Sequence, residues 1–409
     1  MKCRHCHALL SLPFIDLGTA PPSNAYVTQA QLAAPEKWFP LRVFACTSCW
    51  LVQTEDYAHH AELFAGDYAY FSSFSQSWLA HAEAYVGNKA RRFDLGPSSL
   101  VVEVASNDGY LLQYVKARGI PCLGVEPTAG TAQAARDKGI AVREAFFGVE
   151  LAEQLVAEGC AADLTAANNV LAHVPDINDF VAGFTRLLKP RGVATFEFPH
   201  LMRLVAEAQF DTVYHEHFSY LSLTAVQRVF AHNGLSVFDV EEIPTHGGSL
   251  RVFAQRVDTQ AREPTAAVAA LLAREANAGV SSVAYYGGLQ ARAERIKDDL
   301  VSFLIEAKRA GKKVGAYGAA AKGNTLLNFA GVRADLLPWV VDRNPAKQGK
   351  YLPGSRIPIV TQQHLENAKP DYVVILPWNL KAEVMRQLEF IGQWNGKFVT
   401  AVPALEIMA

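Results

Sequence analysis

The chain has no block of lysines or arginines: 38 basic side chains stand against 40 acidic ones, for a net charge of −2 over 409 residues. Non-specific nucleic-acid binding, which needs a basic footprint, is therefore excluded. An anionic ligand has to be held by local groups, not by a general field. Long apolar runs are also missing, and none approaches the ~20 residues needed to span a bilayer. Met1-Lys2-Cys3-Arg4-His5-Cys6 carries charge with no apolar signal core behind it. These absences predict a cytoplasmic protein with no membrane partner. Cysteine is scarce, six in all, and in a reducing compartment such residues are thiols or metal ligands before they are disulfides. There is no internal repeat and no low-complexity segment.

Half of the residues are apolar and 19% are charged, the balance of a globular enzyme with well-filled interiors. The length exceeds what one hydrophobic core serves, so two or three domains are expected. Residues 1–70 are rich in cysteine, proline and aromatics without a long periodic segment, and need a staple to fold. From about 98 to 200, apolar runs alternate with helical patterns. Leu100–Val104, Cys122–Glu126, Asp163–Ala167 and Gly192–Phe198 read as strands, with a helix over Tyr110–Arg118. That spacing predicts a parallel, doubly wound sheet. A helical stretch over Thr265–Ala310, broken near Gly279 and Gly287, leads to a second alternation of Lys313–Gly318, Leu337–Asp342, Asp371–Leu376 and Lys397–Val402. The division expected is 1–70, 71–260 and 261–409.

Five motifs carry chemistry. Cys3-x-x-Cys6 and Cys46-x-x-Cys49 have zinc-knuckle spacing, and two such pairs complete a closed, structural tetrahedral site. His5 and His7 are rival ligands, and a redox pair is the alternative. Cys122 and Cys160 read as packing residues. Glu103-Val-Ala-Ser-Asn-Asp108-Gly109 follows the first strand at the position where doubly wound folds bind nucleotides. It lacks the dense glycines of a pyrophosphate loop. Its acidic side chain suits the cationic amino-acid end of S-adenosylmethionine, and Glu126 at the next strand end suits ribose hydroxyls.

Asn169 and His173 follow the fourth strand, where a hydrogen-bonded structural histidine is the bland alternative. Tyr214-His215-Glu216-His217-Phe218 sets a phenol, a carboxylate and an imidazole within four positions. Such a group can remove a proton from carbon and hold the resulting oxyanion. The competing reading is a solvated polar turn. His246-Gly247-Gly248-Ser249-Leu250-Arg251 lets backbone approach a ligand, although a hairpin turn also explains it. Gly315-Ala-Tyr317-Gly318-Ala-Ala-Ala321-Lys322-Gly323-Asn324 follows a strand and opens a helix. It suits a diphosphate, and its Gly-x-x-Gly-x-x-Ala spacing also looks like a degenerate nicotinamide loop. Tyr85-x-x-x-Lys89 matches a short-chain dehydrogenase pair in the wrong order and is taken as chance.

In this order, over essentially all 409 residues, the motifs resemble the sugar C-methyltransferase family that acts on nucleotide-linked ketosugars. The resemblance implies an α/β architecture with an N-terminal zinc-binding module, a central class I methyltransferase sheet and a smaller C-terminal Rossmann-like domain. It implies zinc on Cys3, Cys6, Cys46 and Cys49, and S-adenosylmethionine against Glu103, Ala105, Asn107, Asp108, Glu126, Phe146 and Asn168. The nucleotide sugar is expected against Asn169, His173, His246, Arg251, Tyr317, Lys322 and Asn324. By the same resemblance His217 is the base, with Tyr214 and Glu216 beside it and Tyr70 approaching from upstream. Relatives often carry an acidic residue where Ala145 precedes Phe146, which leaves the adenine edge to backbone. Rival readings are a nicotinamide-dependent oxidoreductase or epimerase, and a zinc-bearing binding protein that has lost catalysis.

Overall fold

The computed structural model describes residues 1–57 and 71–409, so the expectation for Tyr70 lies outside the described residues. The N-terminal part forms β1 (Leu12–Ala20), β2 (Phe39–Ala45) and β3 (Val52–Thr54), paired antiparallel. In β2 the alternate residues Leu41, Val43 and Ala45 turn inward, as the period of two requires. After the helix Gln76–Arg92 come β4 (Val101–Val104), β5 (Cys122–Val125), β6 (Ala141–Arg143), β7 (Ala162–Asn168) and β8 (Leu188–Pro199). The pair β9 (Ser219–Tyr220) and the long strands β10 (Leu235–Ile243) and β11 (Ser249–Arg256) complete the middle of the chain. The C-terminal part supplies β12 (Val314–Tyr317), β13 (Val340–Val341), β14 (Ile359–Val360), β15 (Tyr372–Ile375), β16 (Lys397–Thr400) and β17 (Glu406–Met408).

The central sheet has the order β10-β11-β8-β7-β4-β5-β6, parallel from β8 to β6, with β11 antiparallel to both neighbours. The chain leaves β4 toward β5 and later returns to β7 on its other side, so the end of β4 is a switch point. The C-terminal sheet, β14-β13-β12-β15-β16-β17, repeats the device at β12. Ligands of such sheets bind outside the carboxyl ends of the strands at these points. The two loops singled out in the sequence, after Glu103 and after Tyr317, occupy them.

Helices cover the sheet for local reasons. In Ile177–Leu187 the Asp176 carboxylate caps the amides of Asn178 and Asp179, and Ile177, Phe180, Val181, Phe184 and Leu187 recur at helical spacing on the buried face. Phe184 meets Phe196 of β8 edge-on at 4.7 Å, and each such buried ring is worth roughly 1.5–3 kcal/mol. The long helical stretch divides into Ala266–Ala278 and Leu289–Arg309. The first ends on Gly279 at φ 87°, the left-handed cap that glycine supplies cheaply.

Packing crosses both of the expected divisions. Among the described residues the N-terminal part shares its cores with the rest of the chain. Phe14, Ile15, Leu41 and Val43 share one hydrophobic cluster with Leu289, Ile296, Leu300 and Leu326, while Cys3, Cys46 and Leu51 join another with Phe196, Phe198 and Phe230. The antiparallel sheet also takes β9 as its fourth strand, through Val52↔Tyr220 and Gln53↔Ser219. The helix Ala266–Ala278, assigned downstream of residue 260, buries Val268 and Leu271 against the core of the central sheet. Its Glu275 carboxylate accepts the amides of Leu223 and Thr224 and pairs with His200 at 2.7 Å, all three contacts buried or nearly so. The helix thus packs on the central sheet, although it follows the expected boundary at 260.

Candidate active site

The four cysteines converge. The sulfurs of Cys3, Cys6, Cys46 and Cys49 all lie within 4.8 Å of one another, with Cys3–Cys49 and Cys6–Cys46 each at 3.5 Å. A tetrahedral zinc with Zn–S near 2.3 Å separates its thiolates by about 3.8 Å, so the cluster fits that ion. Both knuckles have one geometry: the amide of His7 bonds the carbonyl of Cys3, and that of Trp50 bonds Cys46. His7 and Trp50 take left-handed φ of 60° and 63°. His5, a rival ligand by sequence, turns away to Asn178 at 2.8 Å, and neither His5 nor His7 joins the cluster. Four thiolates leave no open position for water, which makes the zinc structural.

At the end of β4, Glu103 is 1% exposed; its carboxylate oxygens make no hydrogen bond of ordinary geometry among the described residues, with the Tyr110 phenol the polar group beside them. Burial drives its pKa well above the ordinary carboxylate value; the Tyr110 phenol opposes this, and Asp108 and Glu126 add to it. Asp108 Oδ1 and Asn168 Oδ1 are likewise buried without a donor. A crevice lined by orphaned acceptors fits a ligand bearing donors and positive charge, as the amino-acid end of S-adenosylmethionine does. The loop itself is held open by backbone: Ala105 and Asn107 adopt φ of 58° and 50°, and Glu126 accepts the amides of Asn107 at 2.9 Å and Thr128 at 3.0 Å. Asn107 Oδ1 accepts the Ser72 amide at 2.9 Å. Phe146, expected against the cofactor, is 61% exposed.

The Tyr-x-Glu-His-Phe segment forms an irregular turn clamped from three directions. Thr54 of β3 donates to the His217 carbonyl. The Phe218 amide donates to Ala172 at 2.7 Å, and Thr325 donates to the Val213 carbonyl at 2.8 Å. His217 Nδ1 lies 2.9 Å from the Thr212 carbonyl. A carbonyl only accepts, so Nδ1 carries the proton and Nε2 keeps its lone pair. Burial holds the His217 pKa well below the ordinary imidazole value, with His173 adding, the Thr212 contact opposing, and Lys322 and His246 adding less. The ring touches Tyr214 at 3.9 Å and His173 at 4.6 Å. Burial also lowers His173 to about 4, against a contact with the Glu216 backbone. Glu216 is 2% exposed, and burial pushes its carboxyl up to about 7 against the Asn24 amide, which donates to Oε1 at 3.2 Å. His215 points to the Pro40 carbonyl at 3.2 Å, away from this group.

Around them stand His246 and Lys322. The Asn169 amide donates to His246 Nε2 at 3.2 Å, and burial, with Lys322 nearby, lowers His246 to about 4. Lys322, in the first turn of the helix Ala321–Phe329, donates to Asn379 at 3.0 Å, and its pKa is lowered by burial against the nearby Asp211. Asn324 donates to the Ser23 carbonyl at 2.6 Å and leaves Oδ1 buried without a partner.

Arg251 and Tyr317, also expected to face the sugar, have internal partners too. Arg251 on β11 is 5% exposed, with its terminal nitrogens on Glu197 at 2.7 Å and Glu241 at 3.0 Å. The Tyr317 hydroxyl accepts from Gln387 at 2.7 Å. The nicotinamide-like glycines are explained by packing: a Cβ on Gly315 would fall 1.9 Å from Trp339, and one on Gly318 2.4 Å from Pro377. Tyr85 and Lys89 are likewise occupied, by Thr195 at 2.6 Å and Glu241 at 2.7 Å. The sequence reading missed Asn24, Thr54, Asp211 and Thr212. Only Asp211-Thr212, adjoining Tyr214, had a positional signal.

Comparison with known proteins bears on the domains of the chain. Residues 3–64 match the zinc binding domain family, 78–240 the methyltransferase domain family and 244–403 the C-methyltransferase C-terminal domain family. The C-methyltransferase NovU of Streptomyces niveus is 33% identical over 409 residues, covering 100% of this chain and 97% of that one. Among solved structures, magnesium protoporphyrin IX methyltransferase of Synechocystis PCC 6803 with bound SAH aligns at TM-score 0.36 and 15% identity, over 44% of this chain and 83% of that one. The PH0226 protein of Pyrococcus horikoshii aligns at TM-score 0.38 and 14% identity, over 49% of this chain and 100% of that one. With three domain families matched in order and a full-length relative at this identity, the chain belongs to the S-adenosylmethionine-dependent C-methyltransferase family with an N-terminal zinc-binding domain.

Proposed function

We propose that the enzyme methylates C3 of a nucleotide-linked 4-keto-deoxysugar through an enolate formed by His217. The observation that carries this reading is the His217 imidazole: buried, neutral at ordinary pH, and tied through Nδ1 so that Nε2 is the atom able to take a proton. A ketone acidifies the neighbouring C–H. Nε2 accepts that proton, and a donor such as the Tyr214 hydroxyl meets the enolate oxygen. When bound, S-adenosylmethionine supplies an electrophilic methyl group on a sulfonium. Glu103 and Asn168 would hold its amino-acid end and Glu126 its ribose. Seating both reactants in one crevice contributes the proximity term. Lys322 and the first amides of the helix Ala321–Phe329 would hold the acceptor's diphosphate, a local site of the kind that a chain of net charge −2 requires. Four convergent free thiols that suit a metal better than disulfides support a cytoplasmic location. Among the described residues no helix is long and apolar enough to cross a membrane.

The test is methyl transfer from S-adenosylmethionine to a panel of nucleoside-diphosphate 4-keto-deoxysugars, read by mass spectrometry. His217→Asn keeps much of the size and hydrogen bonding but cannot accept a proton at neutral pH. Its turnover falls by about 10²–10⁴-fold with ligand affinity nearly unchanged. Near-normal transfer by His217→Asn would move the base to Glu216 or His173, and no transfer to any member of the panel would reject the acceptor class.

A further inference from the structure

Asp211 lies in the turn Phe210–Thr212, one position before the carbonyl that fixes His217, and is fully buried at 0% exposure. Its Oδ2 accepts the indole N–H of Trp378 at 2.7 Å, and its Oδ1 has no partner among the described residues. Trp378 begins the turn Trp378–Leu380 after β15, so this bond joins the base turn of the central part to the C-terminal sheet. The face of the same indole lies 4.5 Å from the Lys322 ammonium. Its outer edge occupies space that a side chain at Gly247 would need, since a Cβ there would sit 2.6 Å from Trp378 Cη2. One side chain thus touches the base turn, the cation at the second switch point and the His-Gly-Gly loop.

We infer that Trp378 is a positioning residue for the base: its N–H fixes Asp211, and with it the Thr212 carbonyl that keeps His217 in the Nδ1–H tautomer. The tie is directional. An indole has one donor, and a buried carboxylate that loses it has to find another partner or move. A turn displaced by about 1 Å can cost roughly 10²-fold in rate, because the base leaves attack geometry. Lys322 needs only the ring face, which a phenyl ring also offers. Trp378→Phe therefore separates the two contacts, keeping the face and removing the N–H. This inference rests on the reading of His217 as base, but not on which acceptor is methylated.

The experiment is ¹⁵N-imidazole NMR of the full-length zinc-loaded protein, with S-adenosylhomocysteine titrated as the check on folding. In the unaltered protein His217 shows the Nδ1–H pattern; any other pattern there counts against the base assignment itself and removes the premise of this inference. Given that pattern, Trp378→Phe loses it while S-adenosylhomocysteine affinity stays within about twofold, and with any panel acceptor kcat falls roughly 10²-fold with little change in KM. An unchanged His217 pattern in Trp378→Phe overturns the inference. Should that variant fail to bind S-adenosylhomocysteine, Asp211→Asn and Asp211→Ala decide, since only the amide retains an oxygen for the indole. Pattern kept in the first and lost in the second supports the inference. Kept in both, or lost in both, overturns it.

Discussion

His217 and Glu216 are chain neighbours, yet the same burial displaces them in opposite directions, because each is driven toward its neutral form. For the histidine this suits the proposed role, since a neutral ring is the form able to accept a proton. For the glutamate it is a cost with a definite sign. Its folded-state pKa of about 7 lies above the ordinary 4.5, so its stability contribution is complete below about 4.5 and is lost as pH rises through 7. A shift of that size amounts to at most roughly 3 kcal/mol. Glu216→Gln keeps an oxygen for Asn24 and cannot ionise. In denaturant melts it should match the unaltered protein near pH 5 and exceed it near pH 8, by up to that amount. Equal stability at both pH values would mean that Glu216 is charged without penalty. The residue types of the site were legible because Tyr214, Glu216, His217, Glu103 and the cysteines form short motifs of unusual chemistry. The partners of Arg251 and Tyr317 could not be read from their motifs, because a motif shows proximity in sequence, whereas Glu197, Glu241 and Gln387 arrive through sheet pairing and packing.

At the scale of elements, the base turn has little regular structure of its own: a single 3₁₀ turn, Phe210–Thr212, then irregular chain up to β9. Its order is borrowed from Thr54 and Thr325, which donate to the carbonyls of His217 and Val213. Valine in place of either threonine keeps the shape and removes the donor, leaving a buried carbonyl unsatisfied at a cost of about 1–3 kcal/mol. Hydrogen–deuterium exchange over residues 210–220 should therefore quicken in Thr54→Val and again in the double variant, while peptides from β4 and β7 keep their protection. Protection unchanged in the double variant would show that the turn is held by packing instead. The parallel strands β4, β5, β7 and β12 were readable as apolar runs between helical patterns. Others were not. β9 and β14 are two residues each, too short for any periodicity. β10 reads Leu-Ser-Val-Phe-Asp-Val-Glu-Glu-Ile, and its charged end is made tolerable by Lys89, Arg92 and Arg251 from elsewhere in the chain.

For the whole molecule, the consequential feature is that the cysteine-rich part is packed into the rest of the chain. Its sheet is completed by β9, and its apolar residues share cores with both other parts. Trp50, in the left-handed position of the second knuckle, stacks on Tyr286 at 5.8 Å with planes 2° apart, and Tyr26 donates to the Ala319 carbonyl at 2.6 Å beside Lys322's helix. Binding of zinc by four thiolates contributes folding free energy directly, and here that energy has a path to the site. Purified protein should hold one zinc per chain by elemental analysis. Cys46→Ser should lower the thermal midpoint by several degrees in one cooperative transition, because a part that shares its cores with the rest cannot unfold alone. Activity should fall with it, since Thr54 and Asn24 would no longer hold the base turn. Two separated transitions, with residues 71–409 retaining S-adenosylhomocysteine binding and an ordered base turn after the N-terminal part has melted, would show that the zinc site stabilises only its own surroundings. A single transition with early loss of protection over 210–220 would place the metal among the determinants of catalysis, although it touches no reacting atom.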